Sequence, residues 1–258
     1  MPLFGFDAYA AILTSRIQNF SDFLGTFSEL MMDGRLWAGD FYRPVGNLFL
    51  AVDYAIWGIE PFGYQLSNML LWCATIVALF ALCRRLLGAP VWIGPCLAAL
   101  FFALHPATLS ILPFLARRTE TLMVLFVALC LVALPRDGAG RLERRHWIAG
   151  LFALAAVGSK ETGIIAVPLV FTHQFLLARN SSRTSLALRF RLSLVAAIPA
   201  ALLSAALLGA RFFVIGGLGG YHIGSNEPYL TKLSQFALHY LSATFVSGGF
   251  DVPGGARY

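Results

Sequence analysis

Charge is scarce in this 258-residue chain: Asp, Glu, Lys and Arg together make up 12% of it, against 58% hydrophobic residues. A soluble domain carries about 25% charged residues, so an ordinary water-soluble enzyme is a poor fit. Cysteine is scarce too. Cys73, Cys83, Cys96 and Cys130 lie inside apolar runs, with no Cys-x-x-Cys pair and no zinc spacing, which reads as packing. The His-Glu-x-x-His, Gly-x-x-x-x-Gly-Lys and Gly-x-Ser-x-Gly signatures are absent. Gly216-Gly-Leu-Gly-Gly220 follows no strand pattern. It reads as a turn rather than a dinucleotide loop, although such a turn has amides suited to phosphate. No metal-ligand spacing stands out, so the cofactor is unknown, with a divalent cation left open.

What is present is apolar sequence in blocks, with a mean hydropathy of +0.73. The blocks read as spans at about 63–83, 91–105, 119–135, 147–158, 161–178 and 192–210. Several are shorter than the ~20 residues a simple span needs. Residues 44–60 are apolar on one side, interrupted by Asn47 and Asp53, and read as an interfacial helix. Residues 1–43 read as loop and short amphipathic helices, and another amphipathic helix is expected near 229–246. The fold class is therefore all-α: a polytopic transmembrane helix bundle with an extracytoplasmic first loop carrying amphipathic helices. Its parts are loop and interfacial helices over 1–60, bundle over 61–210 and a second extracytoplasmic loop over 211–258. This single membrane domain is expected to be incomplete at both ends.

The net charge of +6 does not point to nucleic acid, because the positive charge sits in short linkers between apolar runs. Three linkers are basic: Arg84 and Arg85; Arg136, Arg141, Arg144 and Arg145; and Arg179, Arg183, Arg189 and Arg191. They are expected on the cytoplasmic side. The acidic N-terminal region, His105 through Glu120, Ser159-Lys160-Glu161 and the loop opened by Arg211 then share the opposite face. Ionisable groups at a membrane edge are site candidates. The 147–178 stretch is interrupted at Gly158-Ser-Lys-Glu161, and a broken helix at membrane depth is tolerated where it lines a cavity.

Six motifs occur in order: Phe6-Asp7-Ala8-Tyr9-Ala-Ala-Ile12, Tyr42-Arg43-Pro44, Pro61-Phe-Gly-Tyr64 with Asn68, His105-Pro106, Arg117-Arg118-Thr-Glu120 and Ser159-Lys160-Glu161. Together they resemble the GT-C membrane glycosyltransferases, in particular the transmembrane O-mannosyltransferases that carry TPR repeats and their bacterial relatives. The resemblance implies a polyprenyl-phosphate donor that gives up a mannose-like hexose. The acceptor is a hydroxyl of a protein or glycan. The expected setting is a multi-pass protein in the lipid bilayer of a bacterial inner membrane, with its site facing the periplasm or exterior. An acidic residue of the first loop should stand beside the acceptor. The family pattern there is Phe-Asp-Asp-Tyr-x-x-Ile; this chain keeps Asp7 and has Ala8 at the second position.

The residues are compatible with that chemistry. Sugar transfer needs a base for the hydroxyl and positive charge for the departing phosphate. Asp7 is the first candidate base and Asp40 the reserve; a helix cap is the other reading of Asp40. Arg43, Lys160, Arg211 and Arg117 are candidates for binding the phosphate. Headgroup anchoring or structural ion pairing are the alternatives. His105, Glu120 and Glu161 are candidates for ordering the site. Arg117, Glu120 and Thr121 share a helical face by spacing, and Arg118 points elsewhere. A transporter or lipid flippase, or an inactive scaffold of the same fold, remains an alternative.

Overall fold

The computed structural model describes residues 8–31, 39–88, 92–135, 142–177, 185–217 and 220–221. Asp7, Arg136, Arg141, Arg179, Arg183 and the stretch 229–246 lie outside the described residues. Regular structure among the described residues is helical, apart from one short antiparallel pair. In it β1 (Gly39–Asp40) meets β2 (Gly220–Tyr221), with Gly39 opposite Tyr221.

Among the described residues two helices are long and apolar enough to cross a membrane: α4 (Pro61–Leu87, 27 residues) and α10 (Leu186–Ile215, 30 residues). At 1.5 Å per residue each is roughly 40 Å long or more, which exceeds a hydrocarbon core of about 30 Å. Only 28% and 33% of their apolar windows are buried, whereas the central helix of a soluble domain is covered on most sides. The other four expected spans form shorter helices: α5 (Ile93–Leu104), α7 (Arg118–Ala133), α8 (Arg144–Ser159) and α9 (Ala166–Leu177). Proline and charge cut them short. α5 stops at His105-Pro106, and α8 stops at Lys160, followed by a 3-10 turn at Glu161–Ile165.

Ahead of these lie α1 (Ala8–Thr14), α2 (Phe20–Gly25) and α3 (Pro44–Trp57); α6 (Pro106–Leu109) is a single turn after α5. Pro44, Pro61 and Pro106 each open a helix, where a missing N–H costs nothing. α3 lies within the helical segment expected over 44–60 and ends at Gly58, whose φ of 59° few other residues adopt. α10 differs from expectation. The apolar run Phe212-Phe-Val-Ile215 carries it past Arg211 to Gly216. Arg211 therefore lies inside the helix, just before its last turn, and the boundary drawn at 210 moves outward.

α7 packs on α8 and α4, α8 on α10, α10 on α9, and α4 on α5. Small residues allow the close approach. Ala149, Gly150, Ala153 and Ala156 of α8 are all buried, and a Cβ on Gly150 would lie 3.0 Å from the Pro199 backbone. Small residues bring helix backbones together where apolar solvent supplies little drive for association. A second cluster ties Ala8, Ala11 and Ile12 of α1 to Leu50 of α3, Tyr64 of α4 and Leu115.

The bundle has two chemically different ends. At one, Arg85 donates to the Val132 and Leu134 carbonyls, Gln174 donates to the Pro135 carbonyl at 3.2 Å, and Arg84 lies over Trp92 at 4.0 Å. The start of α3, the start of α7, the end of α8 and the end of α10 meet at the other.

Candidate functional site

The second end is built around the break after α8. Ser159 closes that helix with its hydroxyl donating to the Ala155 carbonyl at 2.8 Å. Lys160 is extended, with φ −156° and ψ 142°. The following 3-10 turn folds back so tightly that a Cβ on Gly163 would stand 2.4 Å from the Ala156 backbone. Glycine alone fits there. α3 also comes close, since a Cβ on Gly158 would stand 2.7 Å from Val45 Cγ2.

The break presents Lys160 and Glu161 to charged groups from three other helices. Glu161 Oε2 accepts from Arg43 Nη2 at 3.1 Å, and its Oε1 faces Arg211 Nη2 at 3.8 Å. Lys160 Nζ donates to Glu120 Oε1 at 2.8 Å. The five side chains are between 11% and 30% exposed, so they are partly desolvated yet reachable. Three cations face two carboxylates. The hydrogen bonding is incomplete: Glu161 Oε1, Arg43 Nε and Arg211 Nε are buried without a partner. Buried polar atoms normally find one, so the contacts within the cluster leave these three atoms unsatisfied. Arg43 also lies over the Phe41 ring at 4.5 Å. The neighbouring Tyr42 hydroxyl donates to the Phe27 carbonyl at 2.9 Å. Burial raises the Tyr42 pKa, which keeps it a donor.

A second network is centred on Arg118, two residues before Glu120. Arg118 is buried and fully used. Its Nη1 pairs with Asp53 Oδ2, its Nε donates to Asn68 Oδ1 at 2.6 Å, and its Nη2 donates to the Tyr64 carbonyl at 3.0 Å. Ser67 Oγ completes Asp53 at 2.8 Å, and Asn68 Nδ2 donates to the Leu112 carbonyl at 3.3 Å. This clamp fixes α3, α4 and α7 together, two residues from Glu120. Sequence reasoning treated Asp53 only as an interruption of an apolar face. The available signal was that an acid in such a helix needs a buried cation.

Arg117 and His105 make contacts outside the charged cluster. Arg117 is exposed, with its guanidinium 5.8 Å from the Phe114 ring centre. His105 makes local contacts: its Nδ1 accepts from the Ala107 amide at 3.2 Å, and its ring is 5.2 Å from Phe101. Asp40 is half-buried in β1, three residues before Arg43. Among the described residues no group of three or more His, Cys, Asp or Glu side chains is arranged to hold a metal.

A polar cavity of about 300 Å³ opens between α1, α2 and α3. Thr14, Ser15, Arg16, Asp22, Glu29 and Asn47 are among its lining residues. Asn47 is one helical turn beyond Arg43, and its buried Oδ1 has no hydrogen-bond partner.

Comparison with known proteins adds a consistent class. The chain is 31% identical over 159 residues to a Xenopus laevis protein named protein O-mannosyl-transferase tmtc2, covering 59% of this chain and 18% of that one. It is 30% identical over 128 residues to protein O-mannosyl-transferase Tmtc1 of Drosophila melanogaster, covering 50% and 15%. It is 28% identical over 202 residues to the human protein O-mannosyl-transferase TMTC2, covering 72% and 23%. The chain thus spans between 15% and 23% of the length of these relatives. No family model matches it, and no solved structure matches it significantly.

Proposed function

We propose that this chain is the catalytic-site segment of a multi-pass GT-C glycosyltransferase that moves a mannose-like hexose from a polyprenyl phosphate to an acceptor hydroxyl. The observation that carries the proposal is the convergence of Arg43, Lys160 and Arg211, from three separate segments, on one partly buried end of the bundle. Relatives named protein O-mannosyl-transferases support the same class. The exposed apolar faces of α4 and α10 support a bilayer around it, and the basic linkers at the opposite end support an extracytoplasmic site.

In this reading the acceptor oxygen attacks the anomeric carbon as the sugar–phosphate C–O bond breaks. The acceptor proton passes to Asp7, with Asp40 in reserve, and the lipid phosphate leaves carrying one more negative charge. Arg43, Lys160 and Arg211 stabilise that charge, and guanidinium groups suit the task because they offer several donors in a fixed plane. Glu120 and Glu161 hold the cations in place before the donor arrives. The acceptor, a protein hydroxyl, occupies the polar cavity beside Asn47.

The test is transfer of radiolabelled mannose from polyprenyl phosphomannose to an acceptor peptide by the full-length protein in vesicles. Arg43→Ala and Lys160→Ala are each expected to lower kcat/KM by about a hundredfold or more, the scale of losing one preorganised charge contact. Asp7→Asn should abolish turnover while leaving donor binding intact. Normal rates in both the Arg43 and Lys160 variants would refute the assignment.

A further inference from the structure

We propose that Glu161 is the residue that sets the phosphate specificity of this site, tuning it to a single phosphodiester and against a diphosphate. The inference rests on the phosphate-binding role proposed for the cluster above. Its basis is charge and geometry. Arg43, Lys160 and Arg211 against Glu120 and Glu161 leave one net positive charge on the five contacting side chains. A lipid phosphodiester carries one negative charge and matches it; a lipid diphosphate diester carries two.

The two carboxylates are not equivalent. Glu120 is engaged with Lys160 at 2.8 Å. Glu161 lies between two arginines, bonded to Arg43 at 3.1 Å and only facing Arg211 at 3.8 Å, with Oε1 unpartnered. Its two oxygens thus occupy the gap between the guanidinium groups, where the phosphate oxygens of a ligand would lie. One phosphate can enter beside this carboxylate by engaging the Arg211 guanidinium, which only faces Glu161 at 3.8 Å. A second phosphate would meet Glu161 itself, and like charges a few ångströms apart in a partly buried site repel strongly.

The test uses the full-length protein in nanodiscs and two soluble probes, a short-chain prenyl phosphomannose and the matching prenyl diphosphomannose. Binding is measured for the wild type, for Glu161→Gln, for the double variant Glu161→Gln with Arg211→Gln, and for Glu60→Gln, an exposed carboxylate elsewhere. Wild type and Glu60→Gln should prefer the monophosphate by about tenfold or more, a modest share of the Coulomb energy available at this range. Glu161→Gln should shift the preference toward the diphosphate by about tenfold. The double variant, which restores the net charge, should move it back.

A wild type that discriminates, with Glu161→Gln unchanged, overturns the inference and leaves the proposed function standing. A wild type that binds neither probe overturns both. If Glu161→Gln fails to elute as folded protein, Glu161→Asp withdraws the carboxylate from the gap between the two arginines. The absence of a shift toward the diphosphate there also overturns the inference.

Discussion

Arginine serves both ends of this bundle, and it does different work at each. At the end carrying Arg84 and Arg85, the guanidinium groups meet backbone carbonyls and an aromatic face. Those carbonyls, from Val132 and Leu134, close α7, where a cation complements the helix dipole. Such contacts finish a helix. At the Glu161 end the arginines share one carboxylate, bonded by Arg43 at 3.1 Å and faced by Arg211 at 3.8 Å. The difference lies in partner type: backbone carbonyls and an aromatic ring at one end, a shared carboxylate at the other.

The comparison can be broken at several points. The largest expected effect is outside the charged cluster rather than in it. Arg118→Met leaves Asp53 buried without its cation and should cost about 3–5 kcal/mol of stability, read from denaturation in detergent. Adding Asp53→Leu should recover most of that loss, because a matched apolar pair is close to neutral. Gly163→Ala comes next. Its methyl group meets the Ala156 backbone, and forcing extra volume into such a site costs about 1–3 kcal/mol. The turn that aims Lys160 and Glu161 must shift, so weaker binding of prenyl phosphomannose should accompany the loss.

Smaller effects sharpen the contrast at the basic end. Arg85→Met should lower stability by about 1–2 kcal/mol, the scale of a hydrogen bond to a charged group, while prenyl phosphomannose affinity stays as in the wild type. Arg84→Gln removes a cation–aromatic contact of about 0.5–1 kcal/mol and should leave affinity equally untouched. A drop in affinity from either variant would show that the two ends are not independent.

Much of this arrangement was legible in the sequence because membrane chains advertise where charge is tolerated. The apolar blocks at 63–83 and 192–210 became α4 and α10, and the interruption at Lys160-Glu161 became a true break. Arg43, Lys160, Glu120 and Glu161 are singled out by chemistry and position, and Arg211 by the family resemblance; the fold brings the five together. The lengths of the shorter helices were less legible, since proline and charge at their ends outweigh hydropathy. The choice between Arg117 and Arg118 was the least legible. Adjacent residues on a helix differ by about 100° in direction, and which one turns inward depended on Asp53, sixty-five residues away in sequence. The end of α10 was misplaced because a charge at Arg211 looked like a boundary, although the residues after it continue the apolar run.

The most direct measurement of the central claim is photo-crosslinking of the full-length protein in vesicles with a diazirine-bearing prenyl phosphate, followed by mapping of the labelled peptides. The account predicts label on the peptides around Arg43, Lys160 and Arg211, competed away by prenyl phosphomannose and weakened by Arg43→Ala. Label concentrated around Arg84 and Arg85, or label indifferent to the phosphate competitor, would contradict it.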